Sequence, residues 1–167
     1  KKLKQRGIHC VMLTGDRSEI AETFGESFGI TEVHAEVLPS EKAEIISRYQ
    51  DQGEIVAMVG DGINDAPALT QADVGIALGT GTDIAMESGD IVLVKGDLAG
   101  VVRTAVLAEA TFKKIKQNLF WAFIYNVIAI PLAFLGLLHP VIAEGAMALS
   151  SINVVWNSNR LRKTHLS

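Results

Sequence analysis

Gly60-Asp61-Gly62-Ile63-Asn64-Asp65-Ala66-Pro67 is the stretch that decides the fold, because it sets two carboxylates and an amide on a glycine-hinged loop. The apolar run before it, Ile55-Val56-Ala57-Met58-Val59, reads as a buried parallel strand. Pro67 suits the first turn of a helix, where a missing N–H costs little. The loop therefore lies at the carboxyl end of a strand, the edge at which open α/β sheets bind ligands. Asp61 and Asp65 repel one another unless a cation sits between them, and hard oxygen donors favour Mg2+. The chemical reading is a site for Mg2+ and phosphate; the competing one is a solvated acidic turn.

The 167 residues are 49% hydrophobic, high for a soluble domain, and the excess is local. A formal charge of −4, with no basic block interleaved with aromatics, argues against a nucleic-acid partner. The single cysteine, Cys10, excludes an intrachain disulfide framework and any Cys-x-x-Cys metal site, and its apolar surroundings predict a plain buried thiol. Lys1 to Gly7 reads as the tail of a helix with its glycine stop, so a preceding segment is expected.

Outward from the central loop, strands alternate with helices. Ile8 to Leu13 reads as a strand ending at Thr14-Gly15-Asp16, followed by a helix from Ser18 to Phe28 that Gly29 stops. A short strand around Val33 leads to a helix capped by Ser40 and ended by Gly53. After the central loop come a short helix to Ala72, a strand Val74 to Leu78 ending at Gly79-Thr80-Gly81-Thr82, a helix Asp83 to Ser88 and a strand Ile91 to Val94. This alternation predicts an α/β fold with a parallel sheet over residues 1–97.

From Leu98 the character changes. A helix-compatible stalk, 98–118, carries Lys113, Lys114 and Lys116 near its end and runs into an uncharged stretch, 119–138, long enough to span a bilayer. Leu138-His139-Pro140 signals a turn, and a second, shorter apolar stretch, 141–157, is interrupted by Glu144. Arg160, Arg162 and Lys163 follow in the tail, 158–167. Basic residues flank the pair at both outer ends, so a transmembrane helical hairpin with both ends cytoplasmic is expected, in a plasma or an intracellular membrane. A buried hairpin of a soluble protein is the alternative. Asn126 and Ser151 lie 13 and 12 positions from His139, roughly 18–20 Å from the turn at about 1.5 Å per residue, and Met147 shares a helix face with Ser151. Tyr125, Asn126, Met147 and Ser151 are therefore candidates to converge in a membrane bundle, either as an ion site in which the Met147 thioether favours Cu(I), or as helix-packing groups. Glu144 lies nearer the turn and reads as an interfacial acid, with an exit-side group of the ion path as the alternative.

Phosphoryl transfer needs a hydroxyl and N–H groups for phosphate oxygens, a protein cation and Mg2+. Thr14-Gly15, Lys42 and Asp61 to Asp65 supply these in order. The strings Met12-Leu13-Thr14-Gly15-Asp16, Pro39-Ser40-Glu41-Lys42-Ala43 and Met58 to Leu69 resemble the later motifs of the phosphorylation domain of P-type ATPases, within the haloacid dehalogenase superfamily. The resemblance implies an incomplete haloacid-dehalogenase-like Rossmannoid sheet in which Asp61 ligates Mg2+ and Asp65 supports the metal and orients Lys42. It further implies that Thr14, Gly15 and Asn64 contact the phosphoryl group, Lys42 pairs with its charge, and Asp16 holds the loop. The family's phosphorylated Asp lies in Asp-Lys-Thr-Gly-Thr, a string absent here, so the chain resembles the C-terminal part of a pump and is expected to be inactive alone.

Tyr125-Asn126 and Met147-Ala148-Leu149-Ser150-Ser151 resemble the signatures of the copper-transporting branch of heavy-metal (type IB) ATPases, although the family's Cys-Pro-Cys is absent from this chain. The function so implied is export of Cu(I), with ATP bound mainly by an upstream domain and Mg2+ as cofactor. The implied partners are the lipid bilayer, the rest of the pump polypeptide and a copper chaperone. The alternative is a split or truncated membrane-anchored module that complements a separate chain or regulates it.

Overall fold

The computed structural model describes residues 1–61, 64–79, 88–137 and 139–163. The expected loop Gly79-Thr80-Gly81-Thr82 and the helix from Asp83 fall mostly outside the described residues, as do Leu138 and the end of the tail. The chain divides into two compact units, Lys1–Val102 and Arg103–Ser167.

In the first unit, β1 (Val11–Leu13) is followed by α1 (Ser18–Phe28), which Gly29 terminates in the left-handed conformation at φ 70°. Ala21 and Gly25, four apart on α1, are its buried residues, and a Cβ on Gly25 would lie 2.7 Å from Val33 Cγ2, so the missing side chain lets the helix approach β2 (Glu32–His34). α2 (Pro39–Asp51) buries Ile45 and Ile46. Its start is closed by Glu41, whose carboxylate accepts from the Leu38 N–H at 2.8 Å, rather than by Ser40. β3 (Ala57–Gly60), α3 (Ala66–Gln71), β4 (Val74–Leu78) and β5 (Ile91–Leu93) complete the unit. All pairings are parallel, as expected, with Val11 opposite Glu32, Ala57 opposite Val74, and Ile76 opposite Ile91. Among the described residues they form two sheets, β1-β2 and β3-β4-β5.

The core clusters where α2 and α3 cover the three-stranded sheet: Ile46, Met58, Ala68, Leu69 and Ala77 are buried, with Leu13, Val56, Ala72 and Val92 packed against them. Fully burying Ile46 and Leu69 contributes about 1.5–3 kcal/mol each. Two expectations need correction. Ile55, read as part of a buried strand, is 86% exposed, because β3 begins only at Ala57. Cys10, read as buried, is half-buried, because β1 starts one residue after it rather than at Ile8.

α4 (Leu98–Phe134) continues without a break through the expected stalk and apolar stretch. It ends four residues earlier than expected, where Gly136 adopts φ 70° and donates its N–H to the Ala133 carbonyl. α5 (Pro140–Asn159) starts after His139, whose ring Nδ1 accepts from the Val141 N–H. Among the described residues α4 is the one helix long and apolar enough to cross a membrane. The second expected span does not reach that level: at 20 residues α5 is long enough, but Glu144, Asn153 and Asn157 lower its hydropathy.

Candidate phosphoryl and ion sites

Thr14 leaves β1 with its main chain pinned on both sides: its N–H donates to the His34 carbonyl at 3.0 Å, and its own carbonyl accepts from the Val37 N–H at 3.0 Å. The Thr14 hydroxyl donates to Asp16 Oδ2 at 2.8 Å and accepts from the Asp16 N–H at 3.1 Å, so the side chains of the loop are fixed on one another. The facing turn is held by the Glu36 N–H, which donates to the Asp16 carbonyl at 2.9 Å. Glu36 has φ 57°, a conformation that costs a non-glycine residue roughly 1–2 kcal/mol. An open hollow of about 310 Å³ lies over this loop, lined by Met12, Thr14, Asp16, Ala21 and Phe24. Gly15 is exposed, and a Cβ there would meet only the Val37 carbonyl at an ordinary 3.6 Å.

The second part of the site is an ion pair. Lys42, in the first turn and a half of α2, reaches Asp65 Oδ1 with its Nζ at 2.7 Å, and the two side chains are 13% and 14% exposed. Asp65 stands at the start of α3, but its carboxylate does not cap that helix; it turns to Lys42, while its carbonyl accepts from the Leu69 N–H at 2.8 Å. Gly60 makes this turn possible, since a Cβ at that position would lie 2.5 Å from Asp65 Oδ2 and 2.6 Å from Asp65 Cβ. Asp61 and Asn64 are both exposed, and the Asn64 N–H lies 3.4 Å from Asp61 Oδ1.

Whether these residues fit Mg2+ is decided by the donor set. Among the described residues no three His, Cys, Asp or Glu are gathered around one point. Mg2+ dehydrates reluctantly and ordinarily takes one or two carboxylates with waters and phosphate oxygens, so the carboxylates of Asp61 and Asp65 fit it. Thr14 and Asp16 bond to one another and to the turn after β2 rather than to Lys42 or Asp65.

In the second unit the expected ion residues are self-satisfied. The Asn126 amide donates to the Ala122 carbonyl at 2.8 Å, and the Ser151 hydroxyl donates to the Met147 carbonyl at 3.1 Å, each within its own helix. Met147 is 70% exposed, and the Tyr125 ring lies 6.4 Å from that of Trp121. The structure therefore does not bring Tyr125 and Asn126 together with Met147 and Ser151 by any bond among them.

Two polar clusters were not singled out from the sequence. The Tyr49 hydroxyl donates to Glu32 Oε1 and lies 3.1 Å from His34 Nε2, while His9 Nε2 is 3.3 Å from Glu32 Oε2. Burial, and then the Glu32 carboxylate, push Tyr49 up to about 12, and the Tyr49 hydroxyl holds Glu32 below the usual carboxylate range, helped by both imidazoles. Asp73 accepts from the Val56 N–H at 2.8 Å and from Gln50 Nε2 at 3.1 Å, which lower its pKa in that order. No local pattern marks either cluster, because the bonds that close them, Tyr49 to Glu32 and Val56 to Asp73, each span 17 positions.

Comparison with known proteins follows the same division. A family model for haloacid dehalogenase-like hydrolases matches residues 1–73. The chain is 55% identical over 166 residues to a copper-exporting P-type ATPase of Staphylococcus epidermidis, covering 99% of this chain and 21% of that protein. It is also 55% identical over 167 residues to a probable copper-importing P-type ATPase A of Enterococcus hirae, covering 98% of this chain and 23% of that protein. It thus spans about a fifth of the length of the relatives it matches. Among solved structures it is similar to a zinc-transporting PIB-type ATPase in the E2·Pi state, with a TM-score of 0.87 and 37% identity over 96% of this chain and 26% of that one.

Proposed function

We propose, from the premise that the chain belongs to the P-type ATPases, that it supplies the Mg2+- and phosphate-handling half of a phosphorylation site and part of a membrane path for Cu(I). The observation that carries the first half is the Lys42–Asp65 pair, 2.7 Å long and largely shielded, with the neighbouring Asn64 N–H turned to Asp61 Oδ1. An ammonium has three donors, and Asp65 takes one, leaving two for phosphoryl oxygens. In this reading Gly15 and Asn64 supply further donors, and Thr14, whose hydroxyl donates to Asp16 and whose N–H donates to the His34 carbonyl, joins them only by giving up the bond to Asp16. Asp61 and Asp65 are the residues to hold Mg2+, which when bound neutralises charge on the phosphoryl oxygens. The nucleophilic Asp is not among these 167 residues, so the chain by itself forms no phosphoenzyme in this reading.

The metal is read from the relatives of the whole chain and from Met147 in the second unit. Copper-transporting relatives are 55% identical, whereas the zinc transporter is 37% identical. Met147 adds a soft thioether, exposed on α5 and able to face helices of the remaining polypeptide, with Tyr125, Asn126 and Ser151 as its polar neighbours in depth. We take the direction as export, with α4 and α5 both crossing the bilayer, their basic ends on the cytoplasmic side, and a copper chaperone as the delivering partner.

The test uses the full-length protein. With Asp61→Ala, Mg2+-dependent labelling from radioactive ATP should vanish, and undiminished labelling would sink the metal assignment. With Met147→Ala, labelling by inorganic phosphate should persist while Cu(I)-stimulated turnover is lost; unchanged stimulation would leave Met147 a packing residue.

A further inference from the structure

In the second unit, α4 and α5 are joined by a polar clamp at one end of their apolar stretches. Asn157 is its centre. Its Oδ1 accepts from Lys114 Nζ at 2.8 Å, and its Nδ2 donates to Asn118 Oδ1 at 2.7 Å and to Gln117 Oε1 at 3.3 Å. Lys114 also donates to Gln117 Oε1 at 3.2 Å, and Asn118 Nδ2 donates to Ser158 Oγ at 2.8 Å. Four bonds between residues 114–118 and 157–158 fix which turn of one helix lies beside which turn of the other.

The clamp lies where the character of both helices changes. On one side Leu119 to Phe134 carries no charge; on the other are Lys113, Lys114 and Lys116, with Lys116 Nζ 4.7 Å from the centre of the Phe112 ring. Before Asn157, α5 carries Glu144 as its one charged residue, and Arg160, Arg162 and Lys163 follow. Residues 110–118 and 157–163 contain six basic side chains and no Asp or Glu; the nearest acid is Glu109, one turn before Lys113. Trp121 and Trp156, 43% and 70% exposed, sit within a turn of the clamp on its apolar side, as tryptophans do at the level of lipid headgroups.

We propose that these two basic ends, held abreast by the Asn157 clamp, form a binding site for the phosphate of an anionic lipid headgroup. Lys113, Lys116, Arg160 and Arg162 are exposed, and the arginine forks match phosphate oxygens in pairs. Basic clusters beside a membrane helix bind anionic lipid, and here the clamp turns two separate runs into one surface. The inference rests on the reading of α4 as a membrane span.

The full-length protein is purified from membranes of phosphatidylcholine mixed with phosphatidylglycerol, and retained lipid is counted by native mass spectrometry. The native protein should keep phosphatidylglycerol and shed phosphatidylcholine. Substituting Lys113→Gln, Lys116→Gln, Arg160→Gln and Arg162→Gln together, all at exposed positions, should lower retention more than about tenfold. Asn157→Leu keeps every charge but opens the clamp and should lower retention several-fold. Unchanged retention in the four-site variant overturns the site. Loss there with full retention in Asn157→Leu also overturns it, leaving only diffuse attraction. A four-site variant that changes turnover equally in pure phosphatidylcholine overturns it in favour of an acidic protein partner. A protein that never enters the membrane fraction refutes the membrane reading instead.

Discussion

Gly60 is the residue at which the candidate phosphoryl site is most tightly constrained, because the space a side chain would need is already filled by Asp65. A Cβ 2.5 Å from Asp65 Oδ2 cannot be accommodated by a rotamer change, since it also meets Asp65 Cβ at 2.6 Å and Cγ at 2.9 Å. Gly60→Ala should therefore displace Asp65 from Lys42 and cost about 1–3 kcal/mol, read as a lower thermal midpoint. In the full-length protein it should also cut Mg2+-dependent phosphoenzyme formation by at least about tenfold, which a purely structural loss at permissive temperature would not do. A variant with native midpoint and native labelling would sink both the packing and the site. At this scale the sequence is informative about residue types: the family resemblance implies that Asp65 orients Lys42, and the two side chains, 23 positions apart, lie 2.7 Å from one another. It was silent on why Gly60 must be glycine and on the left-handed Glu36, because each depends on an atom brought in by another element.

Elements were legible where one local signal set each end. α1 runs from Ser18 to Phe28, stopped by Gly29, and β4 from Val74 to Leu78, as their patterns predict. β3 differs because its approach is held by a distant carboxylate: the Val56 N–H donates to Asp73 Oδ2, and no sequence rule assigns that bond. Asp73 joins three elements, since Gln50, near the end of α2, donates both to it and to the Gln71 carbonyl closing α3. The Val56 N–H, and then the Gln50 amide, depress its pKa below the ordinary 3.8. A carboxylate depressed on folding contributes stability that is present above its unfolded value and lost as pH falls through the folded one. Asp73→Asn should thus be less stable than the native protein at neutral pH, with a gap that narrows from about pH 4 downward. Urea titrations at a series of pH values read this directly, and a gap independent of pH would show that the charge on Asp73 contributes nothing.

The two units differ in the solvent they are built for. The first buries every hydrophobic side chain that forms the core, from Ala21 to Ala77. The second holds 20 of the 28 large hydrophobic side chains that are exposed among the described residues, and none that is buried. Each such side chain left in water forgoes roughly 1.5–3 kcal/mol, so the second unit is stable only in an apolar medium or against other helices. This inverted pattern was legible from the uncharged run after Lys116, whereas the weaker claim of α5 to span was not separable from it by eye. Proteolysis distinguishes the two helices. With the protein in sealed bilayers, proteinase K should remove the first unit and cut around the exposed Lys113 and Lys116, yet spare Leu119 to Phe134. If α5 also crosses, the recovered fragment extends through His139 to about Trp156; if it lies on the surface, Val141, Ile142 and Met147, all exposed, are cut as well. Detergent above its micelle concentration should abolish the protection in either case. Cleavage at Phe123 or Ile128 in intact bilayers would remove the membrane assignment, and with it the depth argument that groups Asn126 with Ser151.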